Sequence, residues 1–326
     1  MDETTLRRLL EDCVAQEPPI GPIAENSLRA GIKLRRRRVI RVAGGLAVAA
    51  AVAVAIPAVT RPMGTPPAGR QHGTGKAAVY VGYLRSGSVT PISAGNRPGK
   101  PIKVGQELYA MAITPDGKTI YVGRYGRAVT PIATATNTLG KPVKVSGAAW
   151  AIAITPDGKT AYVANDRTST VTPIATATNT PGRPIKVGVE PMAIAITPDG
   201  KTAYVASKFS NTVTPIATAT NTPGKPIKVG SRPAAIAVTP DGKTAYVANL
   251  LSNTATPIAT ATNRPGKPIK VPRLPAAIAI TPDGKTAYVA VWNGVMPITT
   301  ATNTRGRLIK IGTESRRGIA SIVVTP

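Results

Sequence analysis

The tetrapeptide TPDG stands at Thr114, Thr155, Thr197, Thr239 and Thr281, so that successive copies lie 41 or 42 residues apart. A period of about 40 to 45 residues holding several short apolar runs is the pattern of four-stranded propeller blades, units that bury their faces only against one another. In the copy over residues 191–230, four strand candidates are bounded by Pro, Gly, Asn or Asp: AIAIT, TAYVA, NTVTPI and KPIKVG. Between the first two, Pro presets one dihedral, Asp bonds locally and Gly supplies a positive φ. Asp116 with Gly117, Asp157 with Gly158, Asp199 with Gly200, Asp241 with Gly242 and Asp283 with Gly284 are therefore read as turn formers.

Each strand type can be counted separately. The second recurs at Tyr80, Tyr121, Tyr162, Tyr204, Tyr246 and Tyr288, and the third at Pro91, Pro131, Pro173, Pro215, Pro257 and Pro297. The fourth recurs at Ile102, Val143, Ile185, Ile227, Ile269 and Ile309. The first occurs five times before IASIVVTP, residues 319–326, offers a sixth copy at the end of the chain. A C-terminal strand that completes the first unit predicts a closed ring with no free edge between first and last blades. The expected fold is all-β: one β-propeller of six four-stranded blades over residues 76–326, preceded by one transmembrane helix.

The block AIAITPDGKTAYVAN from Ala151, with YVAN at Tyr162 and Tyr246, resembles the YVTN family of β-propeller repeats over roughly residues 76–326. The resemblance implies an exported or surface-exposed propeller, related in shape to haem d1 and quinoprotein-type propellers. It also implies seven blades, where the copies here count six. The redox chemistry of cofactor-linked relatives does not carry over, because its ligands are lacking. One Cys and one His, Cys13 and His72, leave no multi-ligand metal site and no internal disulfide. Neither a cofactor nor a metal is expected, and no catalytic residue is assigned.

Residues 42–60 are an uncharged, Ala- and Gly-rich run of nearly the ~20 residues that span a bilayer. Lys33, Arg35, Arg36, Arg37, Arg38 and Arg41 precede it, which places the N-terminus in the cytoplasm and residues 61–326 outside. The chain thus divides into a cytoplasmic leader (1–38), a signal anchor (39–60), a Pro/Gly-rich linker (61–75) and the propeller (76–326). In the leader, Leu6, Leu9, Leu10 and Val14 fall at the spacing of a short amphipathic helix. RRRVIR from Arg36 also fits a twin-arginine export signal, and cleavage near Ala53 or Ala58 would then yield a secreted protein.

Copies differ mainly in the loops from second to third strand and in those leading into the first strand, which share one end of a propeller. There lie Tyr83, Arg85, Glu107, Tyr109, Arg124, Tyr125, Trp150, Asp166, Arg167, Glu190, Phe209, Arg232, Arg273, Trp292 and Glu314. Exposed aromatics with Arg on a rigid scaffold have the composition of a recognition surface. Residues 61–326, the part expected outside the cell membrane, hold 32 bases and nine acids, a net +23 of the chain's +26. Many bases pair along the fourth strand: Lys100 and Lys103, Lys141 and Lys144, Arg183 and Lys186, Lys225 and Lys228, Lys267 and Lys270, Arg307 and Lys310. Such a belt attracts anionic polymers and also guards an outer strand against edge pairing. The functional expectation is a monomeric, membrane-anchored binding scaffold for an anionic envelope polymer or a protein, with nucleic acid ranked behind them. A hydrolase or lactonase-like enzyme using the acids of the variable loops is the alternative.

Overall fold

The computed structural model describes residues 77–105 and 107–311. The leader, the apolar run, the linker, Cys13, His72, Glu314 and the closing strand over residues 319–326 lie outside them. Among the described residues no helix is long and apolar enough to cross a membrane.

Six antiparallel sheets follow one another along the chain. Sheet 3 typifies them, running Ala148–Ile154, Thr160–Asp166 and Thr170–Ala175 in spatial order, with two short outer pieces, Thr180–Pro181 and Ile185–Lys186. Sheets 2, 4, 5 and 6 repeat this arrangement; sheet 1 shows Ala77–Tyr83, Ser88–Ser93 and Ile102–Lys103. Six repeated antiparallel sheets fit a β-propeller.

The outer strand expected as KPIKVG is shortened to two residues in sheets 2 to 6, and a second two-residue piece from the loop before it shares the same edge. In sheet 3, Ile174 and Ala175 pair with Pro181 and Thr180, whereas Thr170 and Val171 pair with Lys186 and Ile185. The break has a steric and a hydrogen-bonding cause. Pro173 has no N–H to offer outward, so its carbonyl receives a single bond from Gly182 N at 2.7 Å. A Cβ on Gly182 would lie 3.1 Å from Pro173 Cγ, so glycine lets the two backbones approach. Pro184 then removes a further donor.

The TPDG turn is built alike in each copy. Gly158 N donates to Thr155 O at 2.8 Å, and Gly158 has φ 72°, the left-handed region that suits glycine. Asp157 Oδ1 accepts from Thr155 Oγ1 at 2.6 Å and from Lys159 N at 3.0 Å. These bonds, with Thr155 Oγ1 the larger cause, hold the Asp157 carboxyl below the ordinary carboxylate range.

The core lies between sheets. Tyr162, Val171 and Ile185 of sheet 3 pack against Ala203, Val205 and Ile216 of sheet 4. Central strands are consequently buried on both faces, and small Ala and Val suffice to fill the space between them. A polar tie crosses the same interface. Tyr162 Oη donates to Asn221 Oδ1 at 2.6 Å, and Tyr80, Tyr121, Tyr204 and Tyr246 reach Asn137, Asn179, Asn263 and Asn303 of the following sheet in the same way. Those Asn residues sit at φ of 54° to 56°, a conformation that Asn tolerates better than most. Burial pushes the Tyr162 hydroxyl up to about 12, so it stays a donor throughout the physiological range.

Replacing one such hydroxyl removes the bond that ties a sheet to the Asn turn of the next one. Tyr204→Phe should therefore lower unfolding stability by about 1–2 kcal/mol, read from denaturant midpoints at unchanged m-value.

Candidate functional site

At the variable end, β-bulges aim the side chains. In sheet 2, Leu108 pairs with Arg124 and Ala110 with Gly123, leaving Tyr109 as the extra residue. In sheet 3, Ala149 pairs with Asn165 and Ala151 with Ala164, leaving Trp150 in the same role. A bulge re-aims a side chain that regular alternation would fix. The two bulged rings come together as a stack, with centroids 4.6 Å apart and planes at 19°. Tyr109 and Trp150 thus belong to the innermost strands, not to the loops in which their position in the sequence seemed to put them.

Two runs of contacts occupy this end, and the first leads outward from this stack. Tyr109 Oη donates to Glu107 Oε2 at 2.7 Å, and its ring lies 6.3 Å from that of Tyr125. Burial, then Glu107, push the Tyr109 hydroxyl up to about 12. The Arg167 guanidinium stands 5.8 Å from the Tyr125 centroid and pairs with Asp166 at 3.6 Å. Burial, and next the neighbouring Glu190 carboxylate, raise Asp166 above the ordinary carboxylate range. Glu190 pairs with Lys208 at 2.9 Å, and both side chains are largely covered. Phe209 lies between two cations, with Lys208 Nζ at 4.7 Å and the Arg232 guanidinium at 5.4 Å from its centroid.

Backbone bonds make this end stiff. Lys208 N donates to Glu190 O at 2.9 Å, Tyr125 N to Glu107 O at 3.2 Å and Arg232 N to Asn211 Oδ1 at 2.8 Å. Glu107, Glu190, Arg232 and Leu274, each seven residues before a TPDG threonine, have φ between 36° and 57°. Residues held in this sparsely populated region need a surrounding structure that over-determines them.

Nine of the residues singled out by sequence enter these contacts: Glu107, Tyr109, Tyr125, Trp150, Asp166 and Arg167 in the first run, and Glu190, Phe209 and Arg232 in the second, where Lys208 is the connector. Lys208 itself was not singled out, since a Lys in the SKFSN loop carries no local signal; its role depends on Glu190, eighteen residues away. Tyr83 ends its strand and is half-buried, and Arg85 is exposed on the following loop. Arg124 lies against Gly105, with a buried Nε that has no partner among the described residues. Trp292, on the sixth sheet, is 42% exposed, and its backbone N–H donates to Arg273 O at 2.9 Å. Two exposed aliphatic residues also stand at this end, Val189 at 51% and Leu251 at 50%, and neither is marked by residue type in the sequence.

All twelve bases of the expected belt are exposed, and none meets an acid among the described residues. The acids of the TPDG turns are instead taken by their own lysines, as in Lys159 with Asp157 at 3.9 Å. Among the described residues no group of three or more His, Cys, Asp and Glu comes together in a way that could hold a metal ion.

Neither a family model nor a curated protein matches the sequence. Solved structures do. A hydrazine synthase of Kuenenia stuttgartiensis aligns with a TM-score of 0.56 at 26% identity, covering 63% of this chain and 66% of that one, just under two thirds of its length. A protein of unknown function from Desulfotomaculum acetoxidans DSM 771 aligns with a TM-score of 0.61 at 22% identity, covering 70% of this chain and 76% of that one. Together with the repeated sheets, these likenesses fit a β-propeller fold.

The raised carboxyl of Asp166 yields a test. A group whose pKa is raised on folding stabilises the fold only where it is protonated, so ionised Asp166 weakens the fold near neutrality. Asp166→Asn should raise the melting temperature at pH 7, and the gain should shrink as pH falls through the carboxylate range.

Proposed function

We propose that the chain is a non-enzymatic binding scaffold: a YVTN-type propeller tethered outside the cell membrane that recognises a protein through its bulge-and-loop end. The observation carrying this reading is a pair of contact runs at this end: Tyr109 joins Glu107, Trp150 and Tyr125, and Tyr125 leads through Arg167 to Asp166, while Glu190 leads through Lys208 and Phe209 to Arg232. Rigid aromatics interleaved with Arg, held by paired acids, present contact area at low entropic cost. The acids here are engaged in ion pairs or in holding a tyrosine hydroxyl, which favours recognition over the hydrolase alternative. The basic belt is a separate device that draws the ring toward anionic envelope polymers. The tether rests on residues 42–60 and the Arg cluster before them.

Ring closure with six blades is part of the same proposal. Ile185 and Ile227 are 5% exposed, covered by the following sheet, but the equivalent Ile309 is 50% exposed. Among the described residues Tyr288 has no hydroxyl partner, and Asn96, at φ 57°, is the one Asn of its position not bonded by a Tyr. Tyr288 with Asn96, together with residues 319–326 as the missing strand of sheet 1, would repeat the tie made at every other interface. Tyr288→Phe should then cost the full-length protein as much stability as Tyr204→Phe; an unchanged denaturant midpoint would count against closure.

For the binding role, a photo-crosslinking residue placed at Phe209 of the full chain should trap one discrete protein in intact cell envelopes. The same residue at Asp199, on the opposite end, should not. Identical adducts from both positions, or none from either, would sink the proposal.

A further inference from the structure

We infer that the partner docks over Phe209 through an acidic segment that also carries large apolar side chains, a step that rests on the binding reading above. The apolar half of the argument is a patch on sheets 4 and 5. Phe209 is 45% exposed, Val189 51% and Leu251 50%. Phe209 N bonds Val189 O at 3.2 Å, and Leu251 N bonds Ser231 O at 3.1 Å, beside Arg232. Three exposed apolar side chains held at fixed loop positions form a docking surface more than a scatter of single residues.

The electrostatic half comes from which charges at this end are already satisfied. Glu190 is taken by Lys208, Asp166 by Arg167, and Glu107 by the Tyr109 hydroxyl. Arg232 and Arg273 meet no acid among the described residues, and Arg232 flanks the exposed ring of Phe209. A carboxylate from a partner would complete Arg232 while an apolar neighbour in the same segment covers Phe209 and removes its cation contacts from water. A peptide segment suits this patch better than a lipid surface, because the exposed apolar side chains are held at fixed loop positions beside the Arg232 guanidinium, which calls for a carboxylate set next to apolar side chains and not for a plane of headgroups.

Panning a random peptide library on the full-length protein in detergent tests this. Enriched sequences should combine Asp or Glu with Phe, Leu, Ile or Trp. Their affinity should fall at least tenfold with Phe209→Ala and with Arg232→Gln, each checked as folded by thermal melting, and should be unchanged by Lys144→Gln with Lys186→Gln on the belt. No enrichment, basic or uncharged consensus sequences, or dependence on the belt variants would overturn the inference. So would phosphatidylserine vesicles that bind with the same dependence on Phe209 and Arg232. A Phe209 crosslink to a discrete protein alongside failed panning would leave the scaffold standing and remove only the acidic-segment claim.

Discussion

No sheet of this protein can bury its own faces, and everything else follows from that. Each sheet offers Tyr, Val and Ile toward the next and receives Ala, Val and Ile from it, so the apolar burial that stabilises one repeat is completed by its neighbour. The tyrosine hydroxyl converts this contact into a directed one. It reaches an Asn side-chain oxygen on a left-handed turn of the following sheet, with a Thr carbonyl of the same turn as a longer second acceptor, which sets the spacing of the two sheets as well as their attraction. A core built on that geometry needs few aromatics, and the fully buried large side chains are the repeated Tyr and Ile.

The same packing frees the outer strand from structural duty. Because the third strand carries a Pro whose missing donor faces outward, the sheet has no continuous ladder left to extend. The outer edge is broken by Pro and Gly and flanked by exposed lysines, which are three separate obstacles to pairing with another sheet. The belt of charge thus recurs with the repeat and guards the outer edge of each sheet.

Much of the architecture was legible in the sequence because period and turn chemistry are local. TPDG spells out its own hydrogen bonds, and strand types could be counted by eye. The two-piece outer edge was not legible, since it depends on Pro173 meeting Gly182 across the sheet. The bulges were not legible either: one extra residue in a strand is invisible until its partner is known, which is why Tyr109 and Trp150 read as loop residues. Val189 and Leu251 were missed for another reason. Aliphatic residues are expected in any strand, and only the structure distinguishes those whose side chains stand in solvent.

The bulges also explain how one repeat can carry both a conserved-looking core and a variable surface within this single chain. A regular strand fixes every side chain to one face or the other, so a large ring near its end would have to displace core neighbours. Inserting one residue decouples the strand's beginning from its remainder. Tyr109, Trp150, Met192 and Ala234 occupy equivalent positions, five residues before a TPDG threonine, and range from the largest side chain to nearly the smallest. The core beyond the bulge keeps its Ala and Ile in all four sheets. Variation at this one position therefore changes what the end of the propeller presents without touching the inter-sheet packing, and the stack of Tyr109 on Trp150 is what two neighbouring large choices produce.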